Sequence, residues 1–327
     1  MKKKQVAIIM GGYSSEFPIS INSGNVVYKS LNKEVYDAYC IHILKDKWVY
    51  VAPSGEEFEV NKADFSFSDG TKAIIPDVVF NTIHGTPGED GLMQAYFELL
   101  GIPQTSCNHY QAALTFNKRD TLSILKNYGV NCANAYYLNS GDEINTTEIV
   151  KKVGLPCFVK PSKSGSSFGV SKVKTMEDLL PAIQVAFAED KEILIETCLV
   201  GTEVSVGVMR LNGKTIVFPP TEIVSHNEFF DYEAKYLGQS EEITPARISA
   251  EELKKVQQET KHIFELLNLK GISRADFIIQ EGEPYFIEIN TNPGLSEESI
   301  IPKQAAALGI TLEKLFGDVI EDVFVKN

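Results

Sequence analysis

Asp276, Glu288 and Asn290 carry the most concentrated chemistry in this chain. They stand in Ser273-Arg274-Ala275-Asp276 and in Phe286-Ile287-Glu288-Ile289-Asn290-Thr291-Asn292-Pro293-Gly294. The apolar segments 277–280 and 285–290 flank Glu281-Gly282-Glu283 and predict a β-hairpin. Side chains alternate faces along a strand, so Glu288 and Asn290 share one face. With a three-residue turn, Asp276 stands opposite Glu288 on that face and Arg274 projects to the same side. Two carboxylates and a carboxamide are hard oxygen donors, of the kind Mg²⁺ shares with nucleotide phosphates. The polar side of an ordinary solvent-facing hairpin would carry the same residue types. Beyond Asn290 a tight turn is expected, with backbone N–H groups exposed beside the acids.

Other candidates are scattered along the chain. Residues 162–169 hold two glycines and four serines between predicted strands. Such a loop can lay successive backbone N–H groups on a polyphosphate, or simply connect the strands. It has neither the G-x-x-x-x-G-K-[ST] nor the G-x-G-x-x-G spacing, so it is no P-loop or dinucleotide fingerprint. Lys160, beside Pro161 at a strand end, favours the phosphate reading, because an inward lysine needs an anion. Glu16 follows Gly11-Gly12-Tyr13-Ser14-Ser15 at a helix start. There it gains ~0.5 kcal/mol from the helix dipole or anchors a substrate ammonium. His84 opens the turn-rich His84-Gly85-Thr86-Pro87-Gly88-Glu89-Asp90-Gly91, where a histidine serves either structure or a site. Lys235-Tyr236 share a long segment with Phe229, Phe230 and Tyr232, aromatic residues that cap a core or form a lid excluding water.

The elements that must position these residues fall into three parts. The first has a strand at 6–10, a Gly11-Gly12 turn and a helix at 19–31. A strand at 78–81 and a helix at 92–100, stopped by Gly101-Ile102-Pro103, follow. This βα alternation predicts a parallel sheet with ligands at the carboxyl ends of its strands. A boundary near 107–111 precedes a helix at 112–128. The middle part has strands at 157–160, 169–173 and 192–196, with a helix introduced by Thr175-x-x-Asp178. Its two strands around the Gly/Ser loop are expected to run antiparallel. The last part begins near Val204 and includes an irregular segment, 219–247, long enough to be functional. A helix starts at Ser249, where Ser249-x-x-Glu252 matches a capping box. Its stripe of Leu253, Val256, Ile263, Phe264 and Leu267 is core packing. The expected units are 1–110, an N-terminal α/β domain, then 111–203 and 204–327, central and C-terminal α+β domains.

Composition narrows the function. With 327 residues, 43% hydrophobic and 23% charged, the chain is an ordinary globular protein of two or three packed domains. A net charge of −13 argues against sequence-independent nucleic-acid binding, yet leaves room for a small anion held by local cations and a metal. Cys40, Cys107, Cys132, Cys157 and Cys198 form no C-x-x-C pair, which predicts reduced thiols and no zinc site. No signal-like h-region or long apolar run appears, so a cytoplasmic protein without a membrane partner is expected.

Taken with Gly11–Glu16, the His84–Gly91 motif, Val159-Lys160-Pro161 … Gly165-Ser166-Ser167-Phe168-Gly169 and Phe229-Phe230-Asp231-Tyr232-Glu233-Ala234-Lys235-Tyr236, the hairpin resembles the D-alanine–D-alanine ligase family of the ATP-grasp superfamily. The resemblance covers nearly the whole chain and implies ATP clasped between the central and C-terminal domains. It implies that Lys118, Lys160 and Lys235 contact ATP, with the loop through Ser167 closing over its phosphates. Glu196-Thr197-Cys198-Leu199 matches the adenine hinge, with Thr197 where the family commonly has lysine, and Glu203 matches the ribose contact. Asp276, Glu288 and Asn290 match the ligands of two Mg²⁺ or Mn²⁺ ions. Glu16, Ser166 and Tyr236 match residues holding the first D-alanine, with His84 nearby. Arg274 and the Gly294 N–H match the oxyanion-stabilising pair, and Ser299 and Ile300 match the second-substrate pocket. The implied chemistry is D-alanyl phosphate formation followed by attack of a second D-alanine, feeding peptidoglycan precursors, in a homodimer. Another ATP-grasp carboxylate–amine ligase should lack the Glu16 and Tyr236 motifs. A non-catalytic homologue should have lost a metal ligand or phosphate lysine, and a nicotinamide oxidoreductase should carry its phosphate fingerprint.

Overall fold

Strand β1 (Lys4–Gly11) is buried along almost its whole length, as expected of the centre of a parallel sheet. The structure is a computed structural model and describes residues 2–165, 167–225 and 240–325. β1 pairs in parallel with β2 (Tyr36–Ile43) and β7 (Val78–Asn81), while β3 (Trp48–Val51) and β4 (Glu57–Glu59) extend one edge antiparallel. A small pair, β5 (Phe67–Ser68) with β6 (Ala73–Ile74), lies beside it. Helix α1 (Phe17–Ser30) starts two residues before the expected 19 because Pro18 fits the first turn, with its fixed φ and missing N–H. Helix α2 (Leu92–Leu100) occupies its expected span and stops at Gly101, whose φ of +68° suits a left-handed cap.

The single helix expected over 112–128 is instead two, α3 (His109–Phe116) and α4 (Lys118–Asn127). Asn117 breaks them. Its extended backbone ends α3, and its side-chain oxygen accepts from the Asp120 N–H to cap α4. The break matters because it makes Lys118 the first residue of a helix.

The second sheet is wholly antiparallel, in the order β10-β9-β11-β8: β8 (Ala135–Asn139), β9 (Cys157–Pro161), β10 (Ser171–Val173) and β11 (Glu192–Thr197). β10 starts later than the expected 169, because Gly169 sits in a turn with φ +72°. Helices α5 (Thr146–Val153) and α6 (Leu179–Glu189) cover one face through Ile149, Val159, Ile183, Ile193 and Ile195. Thr175 donates to the Asp178 carboxylate at 2.8 Å before α6, but Asp178 makes no side-chain cap bond.

The third sheet centres on β12 (Thr202–Leu211), flanked by β14 (Thr221–Ser225) and β16 (Ile272–Gln280), with β13 (Lys214–Val217) pairing its far end. β15 (Ser240–Ile243) and β17 (Glu283–Asn290) extend the two sides. The expected irregular segment 219–247 therefore contributes two paired strands, and its middle, 226–239, lies outside the described residues. Helix α7 (Ala250–Leu266) carries the expected capping box, with both reciprocal bonds present, and buries Val256, Ile263 and Phe264. Helices α8 (Ile300–Ala307) and α9 (Leu312–Val323) return to the first sheet, where Phe316 meets Phe80 edge-on at 5.7 Å. Among the described residues no helix is long and apolar enough to cross a membrane, and all five cysteines are free.

Candidate functional site

The hairpin β16–β17 turns on two residues, Glu281 and Gly282, both with positive φ, so that Gln280 pairs with Glu283. The expected three-residue turn is absent. A two-residue turn alone would slip the acids out of register, but a β-bulge after Asp276 restores it. The extra residue is Ile287, and Asp276 faces Glu288 while Arg274 faces Asn290. Asp276, only 8% exposed, accepts hydrogen bonds from Ser205 Oγ at 2.6 Å, Arg274 Nε at 2.9 Å and Arg274 Nη2 at 2.8 Å. Asn290 Nδ2 lies 3.3 Å from the same carboxylate. Glu288 meets the Lys118 ammonium at 3.0 Å.

This hairpin face forms one wall of a cleft of about 570 Å³, whose other wall is the uncovered face of the second sheet. Lys160, Glu196, Leu199, Glu203 and Ser167 all line it. Lys160 Nζ lies 2.9 Å from Glu196 Oε2. Burial alone would lower the lysine pKa, but the Glu196 carboxylate, helped by Glu288 and Glu203, holds it above its ordinary value. The ammonium is therefore charged. The inward lysine finds its anion in Glu196. Thr197 donates to Val153 O at 2.7 Å, which directs its hydroxyl to the end of α5. The Gly/Ser loop is tied to α4 at two points: Lys118 N donates to Ser162 O at 3.0 Å and Lys118 Nζ to Ser164 O at 2.8 Å.

A second cavity of about 470 Å³ opens at the carboxyl ends of the first sheet. Glu16, His84, Arg274, Asn290, Gly294, Ser299 and Ile300 line it. Lys118, Ser164, Arg274 and Glu288 line both cavities, which meet there. Glu16 reaches the Gly/Ser loop: a Cβ on Gly165 would fall 2.5 Å from its Oε2. His84 is buried, with Nε2 3.4 Å from Ser23 Oγ. Burial pushes its pKa down, the Glu16 carboxylate opposing, so the ring is neutral. Gly294 packs on the Ser299 hydroxyl, where a Cβ would fall 2.8 Å away. Glu298, whose side chain is 92% exposed, stands 3.6 Å from Lys303. Ser166, Lys235 and Tyr236 lie outside the described residues.

Glu89 was missed as a site residue. It lines the second cavity and accepts from Gly85 N–H at 3.0 Å. Burial first, then the Glu16 charge, push its acid up to about 7. The one signal in the sequence is an acid inside a glycine-rich loop five residues after His84.

The donor chemistry of Asp276, Glu288 and Asn290 fits a hard divalent cation, being oxygen on one face of one hairpin. Among the described residues no group of three or more His, Cys, Asp or Glu side chains is arranged to hold a metal. Two carboxylates with a carboxamide are the candidate set, and Arg274 and Lys118 balance their charge.

Two antiparallel sheets closing on a lysine-lined cleft beside an acidic hairpin define an ATP-grasp protein. Residues 5–107 match the family described as D-ala D-ala ligase N-terminus, and residues 124–321 match D-ala D-ala ligase C-terminus. The D-alanine–D-alanine ligase of Flavobacterium johnsoniae is 62% identical over 97% of this chain and 98% of its own length. Among solved structures, the VanG D-Ala:D-Ser ligase from Enterococcus faecalis superposes with a TM-score of 0.88 at 30% identity, covering 98% of this chain and 100% of that one. The D-alanine–D-alanine ligase from Bacillus anthracis complexed with ATP gives 0.79 at 27% identity, covering 98% and 97%. The chain belongs to the D-alanine–D-alanine ligase family.

Proposed function

We propose that this protein joins two D-alanine molecules to D-alanyl-D-alanine with conversion of ATP to ADP and phosphate, for peptidoglycan precursor synthesis. The observation that carries this reading is the junction of the two cavities at Lys118, Ser164, Arg274 and Glu288. A nucleotide lying along the second sheet ends its phosphates there. An amino acid whose ammonium is held by Glu16 brings its carboxylate to the same place.

In this account Glu196 and Leu199 hold the adenine and Glu203 the ribose. Lys118, Lys160, Ser167 and Lys235 hold the phosphates. Asp276, Glu288 and Asn290 hold Mg²⁺ or Mn²⁺, two ions being expected, which when bound neutralise phosphate charge. The D-alanine carboxylate oxygen bonds to the γ-phosphorus, and the bond from that phosphorus to the ADP oxygen breaks. Two anions approach one another, so Lys118, Lys160 and Arg274 contribute by reducing their repulsion. The deprotonated amine of the second D-alanine then attacks the acyl carbon, and phosphate leaves with the former carboxylate oxygen. Arg274 and the Gly294 N–H stabilise the oxyanion, while Ser299 and Ile300 border the second amino acid. Glu16, with Ser166 and Tyr236, orients the first D-alanine, and His84 supports that end as a neutral ring.

The units 1–110, 111–203 and 204–327 remain the proposed domains, and a cytoplasmic location follows from the precursor pathway. A homodimer is the proposed assembly. Exposed Leu92 and Leu99, two turns apart on one face of α2, offer it an apolar surface. ATP-dependent phosphate release with D- and L-amino acids and D-lactate, products identified by mass spectrometry, tests the activity. D-alanine alone should suffice as both donor and acceptor; a requirement for D-serine or D-lactate would replace the acceptor assignment.

A further inference from the structure

Three buried carboxamides converge on one backbone oxygen, the carbonyl of Gly88. Asn81 Nδ2 donates to it at 2.7 Å, Gln94 Nε2 at 2.6 Å and Asn292 Nδ2 at 2.7 Å. A carbonyl oxygen has two lone pairs, so three donors crowd it, and the loop has little freedom to leave this position. Gly88 also folds back on the start of its own loop, where a Cβ would fall 2.3 Å from Ile83 Cβ.

The three donors differ in origin. Asn81 ends β7 and Gln94 lies in α2, so their bonds hold the loop within the first part of the chain. Asn292 comes from the turn after β17, two residues beyond Asn290. It also lies 3.3 Å from Ile83 O through the same Nδ2. Three residues on, Leu295 N–H donates to Ser23 Oγ, the hydroxyl beside His84, at 3.1 Å. One turn thus grips the 83–88 loop from the acidic hairpin's side.

We propose that Asn292 is a positioning residue that sets the distance between the amino-acid cavity and the phosphate end of the nucleotide cleft. The inference rests on the ligase reading above. His84 and Glu89 lie on the 83–89 loop, whereas Asp276, Glu288 and Asn290 lie on the hairpin. Phosphoryl transfer requires the carboxylate oxygen and the γ-phosphorus to be held in line, and a misplacement of ~1 Å can cost ~10²-fold in rate. Asn292 ties the two supports together through buried bonds that water does not replace.

The test compares wild type with Asn292→Asp, which keeps the side-chain size and turns the donor into an acceptor. KM for D-alanine, KM for ATP, kcat and the unfolding temperature are measured for both. The expected result is a fall of about tenfold or more in kcat, with KM for ATP within about twofold and the unfolding temperature close to that of wild type. Unchanged kinetics, a rise in both KM values with kcat unchanged, or a kcat loss that only tracks a lowered unfolding temperature would overturn the proposal, since a merely structural role gives one of those. If Asn292→Asp does not fold, Asn292→Ser carries the same comparison with the same outcomes. Wild-type protein that forms no ADP in response to D-alanine would overturn the ligase reading and this inference together. A normal wild type with an unaltered variant overturns the inference alone.

Discussion

The Lys118 ammonium lies 3.0 Å from the Glu288 carboxylate, joining the first turn of α4 to the acidic hairpin where the two cavities meet. Both side chains are largely buried, and a buried carboxylate without a cation would be strongly disfavoured. The same ammonium holds the Gly/Ser loop through Ser164 O. One lysine therefore links the loop, the hairpin and α4.

Glu288→Gln removes one charge while keeping size and hydrogen bonding. Turnover is expected to fall by ~100-fold or more, the scale of losing one electrostatic contact to the transferring group. The unfolding transition should persist. Wild-type turnover at ordinary Mg²⁺ concentration would remove Glu288 from the metal set.

Gly165→Ala places a methyl where the Glu16 carboxylate now sits, 2.5 Å from its Oε2. Either the loop or Glu16 must shift, and the first D-alanine loses alignment. Activity at subsaturating D-alanine should fall by ~10-fold or more. Kinetics matching the wild type would show that the Gly165–Glu16 contact plays no part in substrate placement.

Glu89 makes stability depend on pH. Its acid titrates at about 7 in the folded protein against an ordinary 4.5, so between those values the native state holds a proton that the unfolded chain has released. Stability contributed by this group is therefore lost as pH rises from about 4.5 through 7. Glu89→Gln keeps an acceptor for the Gly85 N–H and removes the titration. Without nucleotide or metal, the variant should unfold at a higher temperature than wild type near pH 8, and the gap should shrink towards pH 5. A gap that is the same at both pH values would contradict this assignment.

The sequence placed Asp276 opposite Glu288 through a three-residue turn, and the structure reaches the same pairing through a two-residue turn and a bulge at Ile287. The side-chain alternation was legible because the acids share a parity; the bulge has no composition signal of its own. The break at Asn117 was hidden because apolar residues continue on both sides of it, although asparagine is a common cap. Glu89 could not be separated from a solvent-facing loop acid until its burial was known. The pairing of Lys118 with Glu288 joins residues far apart in the chain, and nothing local announces it. β14 and β15 were lost inside a segment judged by its length, since each strand is short.

A D-alanine carboxylate that attacks the γ-phosphate at the junction of the two cavities leaves one of its own oxygens on the phosphate. D-alanine labelled with oxygen-18 in its carboxylate, incubated with the enzyme, ATP and Mg²⁺, tests it most directly. Each phosphate released with D-alanyl-D-alanine should carry a single labelled oxygen, read by mass spectrometry. Dipeptide formed together with unlabelled phosphate would contradict it.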